Sequence, residues 1–242
     1  MFYIRLAEHN FCIHNKFDYI EKLCTNYTVD ECEAAEIAVS AEEAEKEAHC
    51  ESFPEGYLES LAIYRKICEM LIDDGIMLFH CSALAVDGEG VLFTAPSGTG
   101  KSTHARLWRG IFGKRAVVVN DDKPLIRITE NRVVVNGTPF CGKHGLENNI
   151  SAQVKYIFVL SQSEKNSVRR LSAAEALPAL LKQTYLPREN AEKMKKTIEM
   201  AKKLTACTEI FALCCNISDE AVLTAYNAMK GDKYEAEGRN CH

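Results

Sequence analysis

The stretch from Val91 to Trp108 constrains the fold most, because it predicts a buried strand, a glycine-containing loop and the start of a helix. Its sequence is Val-Leu-Phe-Thr-Ala-Pro-Ser-Gly-Thr-Gly-Lys-Ser-Thr-His-Ala-Arg-Leu-Trp. A lysine and two hydroxyl residues where loop and helix meet are typical of a phosphate-binding loop. A plain Gly/Ser turn is the alternative, but such a turn would not require the lysine and the hydroxyl residues in order to fold. Ala95 stands where the usual pattern has its first glycine.

The residues of this loop have distinct predicted tasks. Gly98 and Gly100 let successive N–H groups converge on one anion, which a Cβ would obstruct. The helix starting near Lys101 directs its free N–H groups and positive dipole end at that anion. We expect Lys101 to reach the β- and γ-phosphates and Ser102 to hold Mg²⁺. The predicted nucleotide-binding residues are Ser97, Gly98, Thr99, Gly100, Lys101, Ser102 and Thr103.

Size and composition predict a folded α/β protein. The chain has 242 residues, of which 47% are hydrophobic, and a formal net charge of −5. This charge gives no case for attraction to nucleic acid or to a membrane surface, so we expect neither partner. The N-terminus lacks a basic segment followed by a long apolar run, and no apolar stretch is long enough to span a membrane. We therefore expect a cytoplasmic protein.

The chain contains 11 cysteines, and their arrangement argues against a zinc or redox motif. They are scattered and form no Cys-x-x-Cys pair, so most are expected to be reduced core residues. Cys12 with His14, and Cys241 with His242, are alternative metal ligands. For these pairs we favour a buried thiol and a frayed tail, respectively.

Three segments are predicted along the chain: an N-terminal α+β extension at 1–75, a catalytic core with the phosphate-binding loop at 76–231 and a frayed tail at 232–242. In the extension, the pattern predicts one or two strands within 2–14, a strand or short helix at 17–27, a short strand at 37–39 before a solvated helix, and a helix from Pro54 to Leu71. Asp73-Asp74-Gly75 is expected to stop that helix.

The core is predicted to alternate strands and helices. Strands are expected at 76–86, interrupted at His80-Cys81-Ser82, and at 91–94, 116–119, 125–128, 133–135, 154–160, 168–171 and 210–215. The strands at 125–128 and 133–135 form a predicted hairpin. Helices are expected at 173–184, at 187–204 with Pro187 near its first position, and at 219–229 with Ser218 as its cap.

Paired carboxylates follow the strand after the loop helix. Asp121 and Asp122 stand where this kind of fold brings acids to the metal and the γ-phosphate. One acid could hold Mg²⁺ while the other accepts the proton of an incoming hydroxyl. An Asx turn that merely closes the strand is the alternative, because Asn-Asp-Asp-x-Pro also favours a turn.

Further candidates are one histidine and several cations. His80 is predicted to lie on a strand beside the loop strand, as either a functional or a core histidine. For a second cation near the phosphates we prefer Lys143 over Lys123 and Arg127, because Lys143 lies in a glycine-flanked loop that also holds His144. Lysines of the predicted helix 187–204 are expected to face solvent, with docking of an acidic substrate as the alternative.

Three features together resemble the HPr kinase/phosphorylase family and, more distantly, ATP-dependent phosphoenolpyruvate carboxykinase. They are the predicted histidine-bearing strand Leu78-Phe79-His80, the loop Pro-Ser-Gly-Thr-Gly-Lys-Ser-Thr, and the paired acids of Asn120-Asp121-Asp122 at the end of a strand. The resemblance covers about 76–160. It implies an α/β fold with a mixed central sheet and a P-loop, like the C-terminal kinase domain of that family.

By position, the resemblance implies that His80 and Lys101 contact phosphates, that Ser102 and Asp122 serve the metal, and that Asp121 is the base. Two departures from the family's pattern limit how far the resemblance extends. Thr103 stands where HPr kinases usually carry glutamate, and Gly142 and His144 stand where an acid and an arginine would fall. The extension 1–75 also differs from that family's N-terminal domain, so HPr itself is not the expected target.

These observations together predict a phosphotransferase that uses ATP and Mg²⁺ and acts on an acceptor hydroxyl. The predicted catalytic residues are Asp121, Lys101, His80 and Lys143. A serine of a peptide or protein is the first choice of acceptor, and a small hydroxyl compound is the second. A nucleotide-binding regulator without turnover is the rival hypothesis, and self-association of the chain stays open.

Overall fold

The computed structural model of the chain describes residues 1–48, 52–142 and 145–231. Within these ranges the chain forms a small three-stranded sheet and a large mixed sheet. The predicted tail at 232–242, with Cys241 and His242, lies outside the described residues. None of the helices in the described ranges is both long and apolar enough to cross a membrane.

The small sheet confirms two strands within 2–14. Strands β1 (Phe2–Leu6) and β2 (His9–His14) form an antiparallel hairpin, and β3 (Ala35–Ala38) adds in parallel to β2. The hairpin turn places Ala7 and Glu8 at positive φ. One face of the sheet packs into a hydrophobic cluster, which includes Ile4, Phe11, Ile13 and Ile37.

The helices beside this sheet follow from capping and periodicity. The segment that could have been strand or helix forms α1 (Asp18–Leu23). Ser40 begins α2 (Ala41–Glu45) with a capping box, and α2 buries no residue, as expected for a solvated helix. The long helix α3 (Glu55–Leu71) buries apolar residues on one side against the small sheet, among them Ile63, Ile67 and Leu71. Gly75, at φ 72°, ends the turn that follows it.

Nine strands form the large sheet in the described part of the chain. They are β4 (Ile76–Leu78), β5 (Ser82–Val86), β6 (Glu89–Thr94), β7 (Ala116–Asn120), β8 (Leu125–Ile128), β9 (Val133–Asn136), β10 (Ser151–Gln162), β11 (Ser167–Arg170) and β12 (Glu209–Cys215). Their order is β4-β8-β9-β10-β6-β5-β7, with β12 also pairing β10 and β11. The predicted hairpin is confirmed as the antiparallel pair β8–β9.

The predicted strand from 76 to 86 is wrong in one respect that affects the site. It is two strands, because β4 pairs with β8 while β5 lies between β6 and β7. His80 therefore lies in the connection between β4 and β5 and not on a strand. The connection is held by the segment after helix α5 (Ala173–Leu181), since the His80 N–H donates to the Gln183 carbonyl at 2.7 Å.

Four helices flank the large sheet in the described ranges: α4 (Lys101–Phe112), α5, α6 (Ala191–Cys207) and α7 (Asp219–Met229). The cap of α7 by Ser218 is confirmed. The predicted start of α6 at Pro187 is wrong, because the helix begins after Asn190, whose side chain accepts from the Lys193 N–H. A polar cap next to the first turn outweighs the preference of proline for that turn.

The extension packs on the core through shared apolar residues. The cluster beneath the small sheet also contains Ile76 of β4, Leu125 of β8 and Phe140. The Phe140 ring stacks on Tyr64 of α3 with ring centroids 3.8 Å apart. The expectation that most cysteines are reduced core residues holds in part. Cys24, Cys68 and Cys81 are among the buried free thiols, whereas the free thiols of Cys32 and Cys207 are exposed.

Candidate functional site

The loop between β6 and α4 is shaped by two glycines in conformations that other residues rarely adopt. Gly98 has φ 79° and Gly100 has φ 109°, and an added Cβ at either would meet no atom within 4 Å. The glycines are needed for their backbone conformation, not for lack of space. Gly100 is the residue before α4, and this helix start has no side-chain cap. The first N–H groups of α4 are thus free of a capping side chain.

Lys101, the first residue of α4, is buried and folds back over the loop. Its Nζ donates to the carbonyl of Ala95 at 2.9 Å and to that of Pro96 at 3.3 Å. Burial lowers the pKa of Lys101, and the nearby Asp122, Cys81 and Asp121 oppose that shift. The ammonium group is therefore held inside the loop, close to both acids that follow β7.

Sheet topology brings the loop and the two acids to one edge. β5 lies between β6 and β7 and is antiparallel to both. The ends of β6 and β7 therefore meet at the edge where β5 begins. The end of β6 also contacts the segment before β5, because Thr94 Oγ1 donates to the His80 carbonyl at 3.0 Å.

Asp121 is buried and makes a specific hydrogen bond. It is 7% exposed, and the Ser82 hydroxyl at the start of β5 donates to its Oδ1 at 2.5 Å. Gly142 leaves room on its other side: a Cβ there would lie 3.1 Å from the Asp121 carbonyl oxygen and 3.7 Å from Oδ2. One carboxylate oxygen is thus fixed, and the other faces a position without a side chain.

Asp122 forms a close pair with the histidine. His80 Nε2 lies 3.3 Å from Asp122 Oδ1, and Lys123 Nζ lies 3.8 Å from Oδ2. The other ring nitrogen, Nδ1, lies 2.9 Å from Gln183 Oε1. Burial works to raise the pKa of Asp122, but the hydrogen bond with His80 and the charges of Lys123 and Lys101 lower it overall. Asp122 is therefore an ionised acid at neutral pH.

The turn after β7 uses the asparagine before the acids. Asn120 Oδ1 accepts from the backbone N–H groups of Asp122 and Lys123, both at 2.8 Å. Its Nδ2 donates to the Thr138 carbonyl at 2.9 Å. An Asx-type turn thus exists here, and it fixes the backbone from which both acids project. The turn interpretation and the site interpretation of this segment are compatible.

Other predicted site residues fall in different places. Lys143 and His144 lie outside the described residues. Arg127 is engaged away from the loop, with the Glu8 carboxylate and the Ala7 carbonyl. Ser97 is exposed in the loop, and Ser102 and Thr103 are half-buried in the first turn of α4.

A cavity of ≈ 710 Å³ lies directly against the glycine loop. Gly98, Thr99 and Gly100 form one wall, and Gln162 Nε2 donates to the Thr99 carbonyl at 3.3 Å. The remaining walls carry both apolar and polar residues, namely Thr103, His104, Leu107, Leu160, Ser163, Glu164, Cys215, Asn216 and Ile217. This volume is within the usual range of small-ligand sites.

Three of the five lysines of α6 have an acidic partner or a backbone contact on this chain. Lys196 Nζ lies 2.8 Å from Asp73, Lys202 Nζ lies 2.8 Å from Glu199, and Lys193 Nζ donates to the Glu69 carbonyl at 2.7 Å. These contacts fit the expectation of a solvated helix face.

Two residues of this region were not identified as site residues from the sequence. Ser82 opens an apolar strand, and a polar residue at that position is a usable signal, although its partner Asp121 is far along the chain. Gln183 carried no signal, because it lies 103 residues from His80 and follows a helix of ordinary pattern.

Comparisons with known proteins give a family and a distant structural likeness. The family model described as SynChlorMet cassette protein ScmC matches residues 57–226. No curated protein matches. Among solved structures, the HPr(Ser) kinase/phosphatase from Coxiella burnetii is 13% identical, with a TM-score of 0.36, over 64% of this chain and 93% of that chain. That likeness is too weak to carry an argument.

The family match includes the glycine loop, both acids that follow β7, and the strands β4 to β12 of the large sheet. It spans well over half of the chain. The chain therefore belongs to the SynChlorMet cassette protein ScmC family.

Proposed function

We propose that this protein is a phosphotransferase that uses ATP and Mg²⁺ to phosphorylate an acceptor hydroxyl. The observation that carries the proposal is the meeting of an uncapped helix start, a buried lysine and two acids at one sheet edge. Phosphoryl transfer depends mainly on positioning and charge neutralisation, and this combination supplies both.

The loop at 95–101 is the proposed phosphate cradle. Its two glycines adopt positive φ, and the dipole of α4 favours an anion there. Lys101 is bonded to two loop carbonyls and would exchange these for phosphate oxygens when ATP binds. The adjacent cavity, at ≈ 710 Å³, has room for the nucleoside.

Asp121 is the proposed base. The bond from Ser82 holds one carboxylate oxygen, and the other can accept the proton of the acceptor hydroxyl. The acceptor oxygen then forms its bond to the γ-phosphorus, the bond from that phosphorus to the bridging oxygen breaks, and ADP leaves. His80 holds Asp122 in place and is the proposed second contact to the phosphates.

Ser102 and Asp122 are the proposed residues for Mg²⁺. A hydroxyl and an ionised carboxylate are hard oxygen donors, which suit this ion. When bound, Mg²⁺ would neutralise charge on the β- and γ-phosphates. The proposed acceptor is a serine of a peptide or protein, with a small hydroxyl compound as the alternative.

The test is transfer from γ-labelled ATP into an extract of the host cell, separated into peptide and metabolite fractions. We expect label in the peptide fraction with the wild-type protein. Asp121→Asn should reduce transfer by about 10²- to 10⁴-fold, the usual contribution of a general base, while nucleotide affinity is retained.

Asp87→Asn is the matched control, because Asp87 lies at the opposite end of β5 and pairs with Arg115. It should leave transfer unchanged. Label in the metabolite fraction would favour the small-molecule kinase. Nucleotide binding without label in either fraction would contradict the transferase and favour the regulator.

A further inference from the structure

The outer face of the small sheet carries a cluster of three metal-ligating side chains. Cys12 and His14 alternate on β2, and Glu36 stands opposite Cys12 on β3. Alternate residues of a strand share a face, so all three project from the side opposite the core residues Phe11 and Ile13. Over residues 1–48, 52–142 and 145–231 it is the one such group of ligating atoms within 4.8 Å of one another.

Cys12 is buried, as expected, and it has polar residues beside it. Its Sγ lies 3.8 Å from His14 Nε2. In the strand register it stands opposite Tyr3 of β1 and Glu36 of β3.

The sulfur and nitrogen atoms already have the spacing of a tetrahedral site. Bonds of about 2.3 Å to sulfur and about 2.0 to 2.1 Å to nitrogen place those two atoms about 3.6 Å apart in such a site. Cys12 Sγ and His14 Nε2 are 3.8 Å apart. Glu36 Oε2 contacts His14 Nε2 directly, and this exposed side chain would rotate away from the ring to admit the ion.

Exposure also favours a metal. The side chains of His14 and Glu36 are 46% and 66% exposed, which leaves an open approach from solvent. The Cys12 thiol would release its proton to water on coordination.

We propose that Cys12, His14 and Glu36 bind one Zn²⁺ ion, with water in the fourth position. A thiolate, an imidazole and a carboxylate form a donor set typical of zinc. The ion would link β2 to the edge strand β3. These strands are neighbours in the sheet but are separated in sequence by α1. This site is separate from the proposed nucleotide site and does not rest on the proposed function.

The experiment is Co²⁺ titration of the full chain, followed by competition with Zn²⁺. We expect one equivalent of Co²⁺ to produce the thiolate-to-cobalt charge-transfer absorption, which Zn²⁺ then removes. Cobalt held by oxygen ligands alone, as at Ser102 and Asp122, gives no such band, so the two sites are distinguished.

Variants assign the band to the cluster. Cys12→Ser should abolish it. His14→Gln and Glu36→Gln should each weaken Zn²⁺ binding by at least about tenfold, because even residues that only hydrogen-bond to a metal ligand change metal affinity by about that factor. The two exposed side chains are tested separately because the buried Cys12→Ser variant can fail to fold. Cys32→Ser, at an exposed cysteine before β3, should leave binding unchanged.

A band that survives in Cys12→Ser, or its absence from the wild-type protein, would overturn the proposal. So would unchanged Zn²⁺ affinity in both His14→Gln and Glu36→Gln.

Discussion

The starts of helices α4 and α7 differ in how their free N–H groups are satisfied. The Ser218 hydroxyl accepts from the Ala221 N–H at 3.3 Å, and Asp219 and Glu220 in the first turn of α7 suit its positive dipole end. α4 begins after Gly100 with no side-chain cap, no acid in its first turn, and a lysine as its first residue. A helix start with no cap and with a lysine in its first turn is unfavourable for stability. Such a start is favourable for binding an anion.

The contrast extends to the layer beneath the start of α4. His104, one turn into the helix, is 3% exposed and accepts from Trp108 Nε1 at 3.0 Å. It packs edge-on against Phe93 of the loop strand. The open loop is thus supported from below by an apolar, neutral layer.

A pH titration of stability should show the largest effect. Burial lowers the pKa of His104 to about 4, below the ordinary 6.5, so the unfolded chain binds this proton more readily than the folded one. The contribution to stability is then complete above pH 6.5 and is lost as pH falls from about 6.5 to about 4, by up to about 3 kcal/mol. Chemical denaturation of the wild type and His104→Gln across that window measures the difference, which should be smaller in the variant. Equal slopes would contradict a buried neutral histidine.

Lys101→Met tests whether the start of α4 contributes a cation to nucleotide binding. Loss of a charged hydrogen-bond donor is worth about 1.5 to 3 kcal/mol, so affinity for MgATP should fall about 10- to 150-fold. Calorimetric titration measures it, with Lys114→Met beyond the other end of α4 as the control. Equal affinities for both variants would mean that Lys101 does not contact the nucleotide.

Gly100→Ala tests whether the open start needs its left-handed backbone. Space for the Cβ is free, so the cost is conformational strain of about 1 to 3 kcal/mol in unfolding free energy. Gly110→Ala, at an exposed helical glycine of α4, should instead raise stability by about 0.4 to 1 kcal/mol. Urea denaturation of both variants should give changes of opposite sign, whereas two stabilising changes would show that the backbone at Gly100 relaxes.

Ser218→Ala should have the smallest effect. Removing the cap of α7 costs about 1 kcal/mol of stability, and affinity for MgATP should not change. Thermal and calorimetric measurements on this variant check both parts. A change in nucleotide affinity would mean that the capped helix start is coupled to the site.

The sequence predicted local features better than long-range ones. The glycine loop, the β8–β9 hairpin and the Ser218 cap depend on neighbouring residues, and each was placed correctly. The interruption near His80 was predicted, but the separation into two strands with different neighbours was not, because pairing with β8 and with β6 depends on residues far apart in sequence. The start of α6 was misplaced because proline and asparagine each favour a helix start, and only the structure shows which one caps it.

Within the candidate site, the same limit applies. The acids after β7 could be named from their place behind a strand, whereas the hydrogen bonds that Ser82 and Gln183 make join segments far apart in sequence. The thiol at Cys12 shows a related limit, because burial was predictable but its polar partner on β3 depends on strand register.

The most direct test is amide hydrogen exchange with and without MgATP, read at residues 97–103 and at 219–222. We expect strong protection of the α4 start on adding MgATP and no change at the α7 start. Unchanged exchange at 97–103 would contradict the claim that this uncapped helix start binds the phosphates.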